Sequence, residues 1–241
     1  MKIIVNGAMG HMGTILCNLV GSSDKHTLAA GVDPNGEGLI LRDINDFTGL
    51  ADMVIDFSHH TAVVPMLNWC VQHKMPVVVC TTGHTEDEKA AIFEAAKTIP
   101  VFYSANMSVG IALLCQMAKK AAAVFPDADV EIIERHHNRK LDAPSGTALL
   151  LANAVKESRP GANIVCGRSG MMKREKNDIS IASLRMGNLP GTHEVIITTA
   201  TQSITLGHEV YDRALFAEGA ISAAEFLLGK SAGLYDMKSI I

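Results

Sequence analysis

A β-type run, Lys2–Asn6, passes directly into Gly7-Ala8-Met9-Gly10-His11-Met12-Gly13 and then into an apolar helical stretch, His11–Val20. Few folds accept that order. Glycine at 7 permits a tight turn out of the strand, glycine at 10 lets backbone approach a bound group, and glycine at 13 lets the helix pack against the sheet. The first N–H groups of such a helix lack carbonyl partners and carry the positive end of its dipole, which suits a phosphate. The spacing G-x-x-G-x-x-G is a variant of the dinucleotide fingerprint. Asp33 ends the next β-type run, Thr27–Val32, where a carboxylate can accept hydrogen bonds from ribose hydroxyls. A glycine turn that only packs a helix on a strand has no use for that acid. Asp33 is followed by Pro34 instead of an arginine that would grip a 2′-phosphate, so NADH is expected over NADPH. Lys25, Arg42 and His11 are the cations that could still reach a phosphate.

The first 105 residues continue the same alternation. Strands are expected at Asp52–Asp56, Pro76–Cys80 and Val101–Ser104, with helices at Thr61–Gln72 and Glu86–Lys97. The strands are short, continuous apolar runs, the pattern of a parallel sheet covered on both faces. Asp33–Gly49, rich in Gly, Asn and Asp, is expected to be a loop. The whole reads as a doubly wound, Rossmann-type α/β unit.

After Asn106 the character changes. A helix at Val109–Val124 leads to a strand at Asp129–His136 and a helix at Ser145–Lys156. Alternating strands follow at Ile179–Arg185, Glu194–Thr201 and Ser203–His208, the first two separated by the turn Gly187–Gly191. That pattern predicts a second α+β domain with a mixed or antiparallel sheet. The last helix, Arg213–Leu228, is small and apolar all round and is expected to return to the first domain. The domains expected are therefore 1–107 plus 213–241, and 108–212.

The densest chemistry lies between that second-domain strand and helix. Residues 134–147, Glu-Arg-His-His-Asn-Arg-Lys-Leu-Asp-Ala-Pro-Ser-Gly-Thr, hold seven ionisable side chains. A histidine there can give or take a proton near neutrality, and a lysine can donate to developing negative charge. The N–H groups of Gly146 and Thr147 open a helix and would bind a carboxylate. A solvated loop with Asp142 or Ser145 as helix cap is the bland alternative, but a cap needs no histidine pair. The pairs His59-His60 and His136-His137 lack zinc-ligand spacing, so no metal is expected.

Composition sets the outer limits. A net charge of −4 speaks against wrapping nucleic acid, and no apolar run of membrane-spanning length occurs. Five cysteines form no CxxC pair and no secretion signal opens the chain, so reduced thiols in the cytoplasm are expected.

The stretch Glu134-x-His136-His137-x-x-Lys140-x-Asp142-Ala143-Pro144-Ser145-Gly146-Thr147-Ala148 resembles the signature of the 4-hydroxy-tetrahydrodipicolinate (dihydrodipicolinate) reductase family of diaminopimelate and lysine synthesis. The likeness extends in order through Gly7–Gly13, Asp56-Phe57-Ser58, Thr81-Thr82-Gly83, Ser104–Gly110 and Ser231–Met237. The resemblance implies a catalytic pair, His136 and Lys140, with Lys140 the proton donor. It implies substrate carboxylates bound by His137, Gly146 and Thr147. It further implies an NAD(P) site lined by Gly7, Ala8, Met9, Gly10, His11, Met12, Asp33, Cys80, Thr81, Thr82, Ser104, Ala105, Asn106 and Met107. The family's substrate is a small cyclic dicarboxylate and its usual state a homotetramer built through the second-domain sheet. Cys80, Met107, His11 and Pro34 depart from the family's common residues at the cofactor side. A small aspartate dehydrogenase with the same domain plan, or a non-catalytic dinucleotide sensor, are the alternatives; a sensor has no need of His136 and Lys140.

Overall fold

The computed structural model describes all 241 residues, Met1–Ile241. In chain order the elements are β1 (Lys2–Asn6), α1 (His11–Gly21), β2 (Thr27–Val32), β3 (Ile40–Leu41), β4 (Met53–Asp56), α2 (Val63–Gln72), β5 (Val77–Val79), α3 (Glu86–Ala95), β6 (Pro100–Tyr103), α4 (Val109–Val124), β7 (Asp129–His136), α5 (Gly146–Glu157), β8 (Asn163–Cys166), β9 (Asp178–Arg185), β10 (Thr192–Thr198), β11 (Ser203–Glu209), α6 (Ala214–Leu227) and β12 (Gly233–Tyr235). They form two compact units, Met1–Val109 with Arg213–Ile241, and Gly110–Asp212.

In the first unit seven parallel strands lie in the order β12-β6-β5-β4-β1-β2-β3. β1, β4 and β5 are apolar and buried on both faces because helices cover both sides. Helices α2 and α3 pack together on one face, α1 and α6 on the other. The strand order reverses between β1 and β4, the switch point where doubly wound sheets open a crevice beyond their carboxyl ends. At that point the backbones crowd: a Cβ on Gly7 would lie 2.6 Å from the Phe57 carbonyl oxygen, and one on Gly13 would lie 1.9 Å from that of Gly7. Glycine is required at both. α6 closes just as tightly, because a Cβ on Gly219 would meet the Met107 carbonyl oxygen at 1.7 Å.

In the second unit five strands lie in the order β11-β10-β7-β9-β8, with β10 antiparallel to β7 and β11, and β9 parallel to β7 and β8. The mixed sheet expected from the sequence is present. Helices α4 and α5 cover one face, where Val130 and Ile132 of β7 meet Ile179 and Ile181 of β9, Val195 and Ile197 of β10, and Leu151 and Val155 of α5.

Three short strands escaped the sequence reading. β3 lies inside the stretch expected to be loop, and β8 and β12 are edge strands of four and three residues. None is long enough to show a period. The strands on either side of the turn 187–191 are also not neighbours. β7 lies between β9 and β10, and the connecting loop crosses its end, where Met186 N donates to His136 O (2.9 Å) and His137 N to Leu189 O (2.9 Å).

Candidate functional site

In the first unit the turn after β1 is held by Gly7 and Ala8 N–H groups donating to Val32 O, at 2.8 and 3.1 Å. Gly10 caps α1 without any side-chain hydrogen bond, so the opening N–H groups of that helix are not taken up by a capping side chain. Asp33, nearly buried, accepts from Met9 N (3.2 Å) and Asn35 N (3.0 Å), which fixes its carboxylate beside the turn.

Two cavities of about 530 Å³ each open here and share Phe57, Ser58 and His59. Gly7, Gly10 and Asp33 line one, together with Pro34 and Arg42. His11, Met12, Cys80, Thr81, Thr82, Ala105, Asn106 and Met107 line the other, together with His60 and Phe216. Of the expected cofactor residues, Ala8, Met9 and Ser104 line neither. Ala8 is packed beneath the turn, Met9 contributes its N–H to Asp33, and Ser104 Oγ donates to Asn106 O at 2.8 Å to shape the loop.

The floor shared by the cavities is organised by Asp56, which is wholly buried at the end of β4. Its Oδ1 accepts from Asn6 Nδ2 (2.8 Å) and Ser58 Oγ (2.6 Å), and its Oδ2 from Thr81 Oγ1 (2.7 Å). A buried carboxylate needs such partners, and these tie the ends of β1 and β4 and the segment after β5 together. Cys80 sits alongside, and burial followed by the nearby Asp56 charge pushes its thiol pKa well up, so it is an inert lining group. Asp56, Phe57, Ser58 and His59 were not singled out for roles from the residues alone. The signal available was their place just beyond the end of a central strand, where such crevices form.

In the second unit the helix-facing side of β7 changes from Val130 and Ile132 to Glu134 and His136. Glu134 is wholly buried, and its Oε2 lies 2.5 Å from His136 Nδ1. Arg185 grips the same carboxylate with two bonds of 2.9 and 2.8 Å, and Ser145 N donates to it at 3.1 Å. Burial raises the Glu134 pKa, but hydrogen bonds from Arg185, His136 and Ser183 outweigh it and bring it down to about 2. The side chain is therefore ionised near neutrality.

Ser145 caps α5, its Oγ accepting from Ala148 N at 3.2 Å and lying 3.2 Å from His193 Nε2. Of the two caps considered, Ser145 serves; Asp142 instead pairs with Lys140 Nζ at 2.8 Å. Gly146 and Thr147 form the first turn of α5, exposed and half-buried respectively. His137 is half-buried in the loop after β7. His193 stands directly opposite Glu134 across the β7–β10 pair, with its ring 5.2 Å from that of His136. Burial and then the neighbouring His136 push its pKa down to about 4. Such a cluster can hold an anion at a helix start and present two basic side chains, one of them with a carboxylate behind it. His59 and His60 stack at 4.2 Å, and His60 bonds Glu88. No group of three or more His, Cys, Asp and Glu side chains is arranged to hold a metal ion. No helix is long and apolar enough to cross a membrane.

The fold and these sites define an oxidoreductase of two α/β units, the first of them a Rossmann-type NAD(P) sheet. The family profile described as "Dihydrodipicolinate reductase, N-terminus" matches residues 1–107, and "Dihydrodipicolinate reductase, C-terminus" matches residues 110–241. The 4-hydroxy-tetrahydrodipicolinate reductase of Clostridium novyi is 42% identical over 246 residues, covering 100% of this chain and 98% of that one. The solved dihydrodipicolinate reductase of Paenisporosarcina sp. TG-14, bound to dipicolinate, is 25% identical with a TM-score of 0.85, covering 100% of this chain and 99% of that one. The chain belongs to the dihydrodipicolinate reductase family. An aspartate dehydrogenase of Thermotoga maritima shares the fold at 14% identity and a TM-score of 0.52, covering 96% of this chain and 98% of that one.

Two of the perturbed groups, His193 and Glu134, weaken the fold on the acid side. The unfolded chain takes up a proton on His193 near pH 6.5 that the folded chain refuses until about pH 4. Stability present above pH 6.5 is therefore lost as the pH falls through that window. Glu134 adds a second loss between about 4.5 and 2. Urea unfolding at pH 7.5 and pH 5 is expected to show a His193 share on the order of 2 kcal/mol. That share should vanish in His193→Gln; an equal acid loss in the variant contradicts the assignment.

Proposed function

We propose that this chain reduces 4-hydroxy-tetrahydrodipicolinate to tetrahydrodipicolinate with NAD(P)H, in diaminopimelate and lysine synthesis. The overall change adds one hydride and one proton and releases one water. Residues 1–107 with 213–241 serve as the dinucleotide domain, and 108–212 as the substrate and assembly domain. The observation that supports the reading is the buried Glu134–His136 pair at the end of β7, tied through the Ser145 amide to the start of α5, with Lys140 in the loop between them.

The residues fit the cofactor: the Gly7–Gly13 turn leaves no room for side chains at 7 and 13, and α1 opens without a capping side chain. Gly7–Met12 would hold the pyrophosphate, Asp33 the adenosine ribose, and Cys80–Thr82 with Ser104–Met107 the nicotinamide end. When bound, the dinucleotide supplies the hydride. Gly146 and Thr147 donate N–H groups to a substrate carboxylate and His137 contacts the second. Lys140 donates the proton, and His136 shares the proton traffic and the charge of the dianion. Asp142 holds the Lys140 ammonium in place at 2.8 Å until substrate arrives.

Supplied with the product of the preceding synthase, the purified protein should oxidise NADH in a substrate-dependent way, read at 340 nm. Lys140→Ala should lower kcat about 10²-fold or more while NADH still binds. Absence of substrate-dependent oxidation in the unaltered protein would refute the reaction. Aspartate-dependent NAD reduction would point instead to the aspartate dehydrogenase reading.

NADH is the preferred donor in this reading, because the Asp33 carboxylate lies where a 2′-phosphate would bring like charge, and Pro34 offers no cation. Arg42 lines the same cavity, its Nε donating to Gly36 O at 3.0 Å, and is the cation through which NADPH could still be accepted. A higher kcat/KM for NADPH than for NADH would reverse the preference.

The assembly proposed is a homotetramer through the helix-free face of the second sheet, where Ile133, Leu184 and Ile196 are only half-buried. Light scattering on the purified chain should return four times the 25.7 kDa chain mass. A stable monomer contradicts it.

A further inference from the structure

Glu134 occupies a position where the strand pattern calls for an apolar side chain. Val130 and Ile132 precede it on the same buried face, and burying a carboxylate there is costly unless every oxygen is satisfied. Both are. Oε2 lies against His136 Nδ1 and accepts from Arg185 Nη1, and Oε1 accepts from Arg185 Nη2 and the Ser145 amide. An ionised carboxylate can only accept, so the nitrogen it faces must be the one that carries a proton. In the neutral His136 ring the proton is on Nδ1, and Nε2 is left bare.

A second, independent feature concerns Nε2. A Cβ on Gly191, the residue before β10, would come within 2.9 Å of it. The ring edge therefore packs against bare backbone, and any side chain at 191 would push Nε2 out of this position. The loop holding Gly191 is fixed by Val210 N donating to Gly191 O at 3.0 Å.

We infer that Glu134 is a positioning residue for the reaction, fixing the proton of His136 on Nδ1 and leaving Nε2, at the ring edge that packs towards Gly191, as the bare nitrogen. Through the Ser145 amide the same carboxylate also anchors the start of α5 to that ring. The atom that exchanges a proton and the helix turn that takes a substrate carboxylate therefore share one rigid support. Arg185 is what keeps the support acceptor-only. The kinetic side of this inference rests on the proposed reaction; the tautomer does not.

The test is a long-range proton–nitrogen correlation spectrum of the full chain labelled with 15N histidine, at a pH that leaves the ring neutral. Wild-type protein should show His136 with Nδ1 protonated and Nε2 bare. In Glu134→Gln, Arg185 claims the amide oxygen, the NH₂ group faces Nδ1, and the proton moves to Nε2. That variant should lose about 10²-fold or more in kcat and keep its affinity for NADH. Glu134→Asp restores the charge and should recover the Nδ1 tautomer with part of kcat, which a purely structural role would not predict. A wild-type ring protonated on Nε2 overturns the inference, as does a Glu134→Gln protein with unchanged tautomer or near-normal kcat. If Glu134→Gln does not fold, the wild-type spectrum and Glu134→Asp decide. Lack of any turnover by wild type would sink the proposed reaction while leaving the ring assignment to stand on its spectrum.

Discussion

One buried ion pair governs the second unit. Glu134 and Arg185 belong to adjacent parallel strands and meet at the end of the core, and no apolar residue could replace either alone without stranding the other's charge. The pair works because strand register is correct on three strands at once. Glu134 faces Ser183 of β9 and His193 of β10, and His136 faces Arg185. A slip of one residue would turn every one of these side chains to the helix-free face. Apolar packing under α4 and α5 fixes the register, and the charged row at the strand ends inherits it.

The first unit achieves a comparable result with backbone rather than charge. Gly7, Gly13 and Gly219 each stand where a methyl group would overlap a carbonyl oxygen, so the turn, α1 and α6 sit closer to their neighbours than side chains permit. Asp56 then links the ends of β1 and β4 to Thr81 after β5. The crevice at the switch point is thus bounded by groups with little freedom to move. That suits a site whose ligand is held mainly by backbone N–H groups and dipoles.

The parts of this arrangement visible in the sequence were those carried by local pattern. The glycine spacing with Asp33, the apolar runs of β1, β4 and β5, and the polar burst from Glu134 to Thr147 all show within short windows. What stayed hidden was set by partners far apart in the chain. Arg185 lies 51 residues from Glu134, and His193 lies 48 from Ser145. Neither could be paired from spacing, nor could Gly191 be linked to the His136 ring. The insertion of β7 between β9 and β10 was concealed for the same reason, since a glycine-rich turn between two alternating runs looks like a hairpin. β3, β8 and β12 draw their stability from an existing sheet edge and leave no pattern of their own.

In the proposed reaction, the Glu134-organised end of β7 is where a dicarboxylate is held and a proton exchanged. The most direct measurement is a titration of 15N-labelled protein, with NADH present, using dipicolinate, the ligand bound in the Paenisporosarcina structure. Saturable shifts at the Gly146 and Thr147 amides and at the His136 ring are predicted. Saturable shifts confined to residues outside 134–147, with those groups unmoved, would contradict it.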